Sequence, residues 1–197
     1  MPRLHLLLTA CLIGLFGCQT HNANYNSRLA HHSPSGFSNN YPGREPDMHD
    51  FFRWQWNRLL KPKPEHRADL VSWQAVNLNQ IHSTQGRSAT WLGHASVLIK
   101  SDGIHVLTDP IFSERASPVS WLGPKRIKPL PVDPANLPRI DAVVISHNHY
   151  DHLDLPSLKR LNSQAGGPPL FVVPLGNAEL LKRQGISNVK ALDWWQR

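Results

Sequence analysis

Ile140-Asp141-Ala142-Val143-Val144-Ile145-Ser146-His147-Asn148-His149-Tyr150-Asp151-His152 is the stretch on which the reading of this chain turns. Its first six residues are mostly apolar and β-branched and read as a buried strand. Its second half gathers three histidines and a carboxylate within a few residues. Strand side chains alternate, so His147 and His149, two apart, are expected to face the same way and to reach one metal ion. Asp151 and His152 fall where the strand should turn toward a helix, within reach of a second ion. Neutral imidazole and carboxylate together suit zinc, and also iron or manganese. The C-terminal end of a buried strand is where open α/β sheets put their sites, and polar side chains crowded there are costly unless they act.

Upstream of this stretch, Ala89–Leu92 and Ala95–Lys100 read as two strands with Gly93-His94 at their junction. Ser101-Asp102-Gly103 is a turn, and Ile104–Thr108 a third strand that stops at Asp109-Pro110. His94 reads either as support for the metal loop or as a structural histidine. Residues 113–139 carry Pro118, Pro124, Pro129, Pro131, Pro134 and Pro138 and predict an irregular excursion, of the kind often used as a lid or binding loop. Its Arg115, Lys125, Arg126 and Lys128 suit a phosphate head group or, equally, a solvated basic loop. Downstream, the pattern predicts a helix over Leu155–Leu161 with Asp154 as cap and Pro156 in the first turn. A strand at Leu170–Val173, a helix over Asn177–Gln184 ended by Gly185, and a strand at Val189–Leu192 follow. This alternation argues for an α/β layer. Tyr150 faces a substrate or packs.

H-x-H-x-D-H after a hydrophobic strand resembles the metallo-β-lactamase fold superfamily. A closer resemblance joins several motifs in order: Trp91-Leu92-Gly93-His94-Ala95-Ser96, Leu107-Thr108-Asp109-Pro110-Ile111-Phe112-Ser113, Gly123-Pro124-Lys125-Arg126, the histidine stretch, Val173-Pro174-Leu175-Gly176 and Leu192-Asp193-Trp194-Trp195. Together they are similar to the N-acylphosphatidylethanolamine-hydrolysing phospholipase D family and its bacterial relatives, from about residue 88 to residue 196 and more weakly back to about 44. The resemblance implies an αββα sandwich with two zinc ions. His147 and His149 would serve the first ion, and Asp151 and His152 the second, with Asp151 also orienting the attacking water and taking its proton. Asp109 would hold the metal loop by hydrogen bonds without ligating. The family adds a later His, a bridging Asp and a final His. No histidine follows His152 here, and the only later aspartates are Asp154 and Asp193. The expectation is therefore the N-terminal half of the sandwich over residues 44–197, inactive by itself.

The 197 residues carry a net charge of +7, with 40% hydrophobic and 18% charged residues. That is a globular composition, and no run of five basic residues suggests a nucleic-acid clamp. An anionic phospholipid membrane is a natural partner, and a generic basic surface is the equal alternative on charge alone. Residues 1–18 read as a lipoprotein signal peptide: Arg3, an apolar segment too short to span a bilayer, then Gly17-Cys18 in the manner of a lipobox. Cys18 would become a lipidated N-terminus, with Gln19 pointing to the outer membrane of a cell envelope. Residues 19–43, rich in Asn, Ser, His, Gly and Pro, read as a flexible linker with solvated histidines. A helix is expected from Asp47 to Leu60, its Phe52, Trp56, Leu59 and Leu60 packing on the domain; a helix lying on a membrane is the alternative.

The leading expectation is thus a zinc-dependent phosphodiester hydrolase of phospholipase D type. A lactonase-like hydrolase with the same metal core, and a non-catalytic envelope lipoprotein remnant, are the alternatives.

Overall fold

The computed structural model describes residues 21–41, 43–44, 47–61 and 68–197. The chain divides into two compact units, residues 1–63 and 64–197. The apolar segment 1–18 with Cys18 lies outside the described residues. No helix among the described residues is long and apolar enough to cross a membrane.

In the first unit, a hairpin of β1 (His32–Ser33) and β2 (Gly36–Phe37) stands inside the segment expected to be a linker. The correction has a physical cause. The Asn22 side chain donates to the carbonyls of Ser33 and Gly36, and His32 is buried edge-on against Phe37 with ring centroids 4.9 Å apart. Helix α1 (Met48–Leu60) starts at Asp47, which forms a reciprocal capping box with Asp50. Local devices hold it: Asp50 pairs with Arg44 and Arg53, and Arg58 lies 5.3 Å over Trp54. Within this unit none of its residues is buried, and Phe52, Trp56, Leu59 and Leu60 are exposed.

The second unit is built on one six-stranded sheet in the order β3 (Ser88–Gly93), β4 (Ser96–Ser101), β5 (Ile104–Thr108), β6 (Ala142–Val144), β7 (Leu170–Pro174), β8 (Val189–Leu192). β3, β4 and β5 are antiparallel, and β5 to β8 run parallel. The hairpin between β4 and β5 turns on Asp102 (φ 51°) and Gly103 (φ 83°), the paired left-handed residues that match strand twist. Helices α2 (Leu78–Ser83), α3 (Leu155–Asn162) and α4 (Asn177–Arg183) complete a mixed α/β unit, the class the sequence predicts.

Register explains where the core sits. Leu98, Leu107, Val143 and Phe171 stand opposite one another across β4 to β7, and all are buried. Leu158 and Leu161 of α3 and Leu181 of α4 join them in one cluster. On the other face, Trp91, Ile99, Val144 and Leu170 are exposed. Residues 113–139 carry no strand and only a 3-10 turn at Pro134–Asn136. This excursion returns to the segment before α2 through Val76 N–H to Pro131 O at 2.7 Å and Trp73 Nε1–H to Pro129 O at 2.9 Å.

Candidate metal centre

The site begins where β6 runs out of ladder. Ile145 N–H still donates to Val172 O at 2.9 Å, but the next amide, Ser146 N–H, is taken by Asp109 Oδ1 at 2.7 Å. The chain therefore leaves the sheet at Ser146. His147 and His149 lie beyond the strand, which corrects the expectation that strand alternation makes them face alike. Their convergence is a property of the loop: His147 Nε2 lies 3.1 Å from His149 Nδ1. The loop then closes as a turn, with His149 O accepting from His152 N–H and Leu153 N–H, and Leu153 is buried as its anchor.

Asp109 organises this loop from the end of β5. It is buried and holds the left-handed φ of 37° that Asp tolerates better than most residues. Its Oδ2 accepts from Ser146 Oγ–H at 2.8 Å and from His152 Nδ1–H at 3.0 Å. A carboxylate only accepts, so His152 carries its proton on Nδ1 and presents the Nε2 lone pair. Ser146 Oγ, its own proton given to Asp109, accepts from His147 Nδ1 at 2.9 Å, which leaves the His147 Nε2 lone pair toward His149. Asp109 thus sets one tautomer directly and another through Ser146. Ser146 was not singled out in the sequence, because its partner lies 37 residues away.

Asp151 and His152 form the second group. Asp151 Oδ2 is 3.4 Å from His152 Nε2 and 3.0 Å from His94 Nε2. Burial raises the Asp151 pKa, but its own backbone N–H, the neighbouring His152 and the His94 contact more than offset this and hold it below the ordinary carboxylate value. Ligands bound to zinc at about 2.0–2.1 Å in a tetrahedron stand roughly 3.3–3.4 Å apart. The donor spacings on both sides of the loop are close to that edge, so the residues fit a divalent ion. Asp154 is the N-cap residue of α3, as expected, but its side chain makes no capping hydrogen bond. Its buried carboxylate accepts instead from Phe112 N–H, Ser113 N–H, Ser113 Oγ–H and Ser157 Oγ–H, tying the segment after β5 to the helix.

A cleft of about 1250 Å³ opens beside the loop, lined by Trp73, Trp91, Ile127 and Lys128 and reaching His149, Tyr150 and Asp151. Of the excursion's other cations, Arg126 Nη2 donates to Ile111 O and Ser113 O, Arg115 to Gly123 O, and Lys125 pairs with Glu114 at 3.8 Å. Burial pulls the Arg126 guanidinium below its ordinary pKa, against the opposing charge of Asp154.

Residues 105–197 match the model of the beta-lactamase superfamily domain. Among known proteins, N-acyl-phosphatidylethanolamine-hydrolyzing phospholipase D 1 of Caenorhabditis elegans is 42% identical over 125 residues, covering 60% of this chain and 35% of that protein. A protein described as a metal-dependent hydrolase from Pyrobaculum islandicum is 33% identical over 63 residues, covering 32% of this chain and 23% of its own. The chain spans about a third or less of the length of these relatives. Among solved structures, the diiron beta-hydroxylase CmlA of Streptomyces venezuelae aligns with a TM-score of 0.41 and 26% identity over 56% of this chain and 21% of that one.

Proposed function

We propose that the chain contributes the H-x-H-x-D-H part of a metal-dependent hydrolase, with zinc as the metal and phospholipid phosphodiesters as the substrate class. One observation carries the reading: four donor side chains, two of them the histidines His147 and His152 whose tautomers Ser146 and Asp109 set, lie beyond the end of β6 beside a cleft lined by apolar residues and Lys128. His147 and His149 would hold one ion, and Asp151 and His152 would face a second. Such an ion supplies Lewis-acid stabilisation of phosphoryl charge and an activated water. The chain's own residues do the rest. Asp151 stays ionised at neutral pH and keeps an oxygen directed into the site. Trp73, Trp91 and Ile127 offer apolar surface for acyl chains, and Lys128 offers a cation to a phosphate. The relative from Caenorhabditis elegans, named for hydrolysing N-acyl-phosphatidylethanolamine, supports that substrate over a lactone. Membrane phospholipid as partner, and an envelope location through lipidated Cys18, belong to the same proposal.

A fluorescence titration tests the substrate class, since Trp73 and Trp91 line the cleft. Short-chain N-acylphosphatidylethanolamine is expected to change tryptophan emission saturably, and Lys128→Glu to weaken that binding. Saturable binding of an acyl lactone with none of the phospholipid would replace this reading with the lactonase one.

A further inference from the structure

His94 is an imidazole at the centre of this region to which neither ion pair gives a role. It sits at the junction of β3 and β4, where the register shifts between Trp91 and Gly93. Its backbone takes a left-handed φ of 48°, a conformation uncommon for non-glycine residues, in which Asn, Asp and His are enriched, and one that clusters at functional sites. Trp91 Nε1–H fixes that conformation by donating to His94 O at 2.9 Å. The consequence is a side chain aimed across the sheet end at a loop 57 residues later, with Nε2 3.0 Å from Asp151 Oδ2. The His94 ring also meets the His152 ring, centroids 5.2 Å apart. One donor atom from each of His94, Asp151 and His152 lies within 4.8 Å of the others.

We infer that His94 is a metal ligand, and that His94, Asp151 and His152 form a three-donor site for one divalent cation built from this chain's own residues. The inference rests on the metal-centre reading above and deepens it by giving the Asp151–His152 pair its third donor. A hydrogen bond from His94 to Asp151 accounts for only part of the geometry. Because Asp109 holds the His152 proton on Nδ1, the His152 Nε2 lone pair points at the Asp151 carboxylate from 3.4 Å. Two acceptors facing one another repel unless a proton or a metal cation lies between them. Two imidazoles and a carboxylate with one position left to solvent is also the donor set of a catalytic zinc ion. His94, half exposed, leaves that position reachable from the cleft it lines.

The test uses the complete 197-residue chain titrated with Co²⁺, whose absorption reports its ligands, with circular dichroism as the check on folding. His94→Asn keeps a residue that accepts the left-handed backbone. It is expected to weaken Co²⁺ binding more than about 100-fold, beyond the 10–100-fold typical of a residue that only supports a ligand. In His94→Cys the bound Co²⁺ should gain a thiolate-to-cobalt charge-transfer band. The same titration of wild type, which already contains Cys11 and Cys18, serves as background. No new band in His94→Cys, with a smaller loss in His94→Asn, would make His94 a positioning residue and overturn the inference while the metal centre stands. Wild-type chain that takes up no Co²⁺ dependent on His152 would overturn both.

Discussion

Asp109 Oδ2 accepts the Nδ1 proton of His152 at 3.0 Å, from a strand end 43 residues earlier in the chain. The same oxygen takes the Ser146 hydroxyl, and Oδ1 takes the Ser146 amide. One buried carboxylate therefore sets the exit of the loop from the sheet and the direction of two imidazoles. Asp109→Ala is expected to lower zinc affinity about 10–100-fold, the usual effect of losing a residue that orients metal ligands. Ser146→Ala, which leaves the His152 contact in place, should cost less. Competition with a chromogenic chelator reads both. Equal affinities in wild type and Asp109→Ala would remove the carboxylate from any role at the site.

The strands before the site were legible because their signals are local. β4 and β5 show short apolar runs on either side of the turn Ser101-Asp102-Gly103, and the structure keeps them within a residue of the expected limits. The histidine stretch converges, as its spacing predicts, but not through strand alternation: Asp109 captures the Ser146 amide and ends the strand before His147. His94 and Asp154 show the limit of local reading. Their partners lie 57 and 41 or more residues away, and nothing in the adjacent sequence marks a left-handed histidine or a cap residue that turns elsewhere. Helix α1 marks another limit. Periodicity identifies an apolar stripe and says nothing of what, if anything, covers it.

Asp154 anchors the segment that follows Asp109. It accepts from two amides and two hydroxyls while almost fully buried. Asp154→Ala strands several buried donors, each worth about 1–3 kcal/mol when left unsatisfied. A loss of about 3 kcal/mol or more in urea unfolding is expected, and a smaller one, about 1–2 kcal/mol, for Ser157→Ala, which removes one donor to the carboxylate and one acceptor of Phe112 N–H but keeps the carboxylate, to which that amide also donates. Similar losses in the two variants would show that the carboxylate is not the hub of this network.

Cys18 is expected to become a lipidated N-terminus, on the strength of the apolar segment that ends at Gly17-Cys18. A single acyl chain binds membranes only weakly, so stable anchoring implies more than one chain on this residue. In cells fed labelled fatty acid, wild type should incorporate label and sediment with membranes, and Cys18→Ala should do neither. Equal incorporation by the two would end the envelope-anchor proposal.

The number of zinc ions held by the 197-residue polypeptide follows from its donors. A catalytic zinc ion takes three protein ligands and an open position. His94, Asp151 and His152 supply one such set, which leaves His147 and His149 two donors for any second ion. Two ions about 3.5–4 Å apart also need an anionic bridge between them. Asp109 is engaged with Ser146 and His152, so among the described residues Asp151 is the carboxylate facing these donors. The expected outcome is one zinc per polypeptide, bound weakly, with no release of N-acylethanolamine from N-acylphosphatidylethanolamine vesicles by this polypeptide alone. Metal analysis after gel filtration and mass spectrometry of the released lipid check the two halves of the statement. Two zinc ions surviving gel filtration, or turnover abolished by His149→Ala, would falsify it and require donors from a second polypeptide.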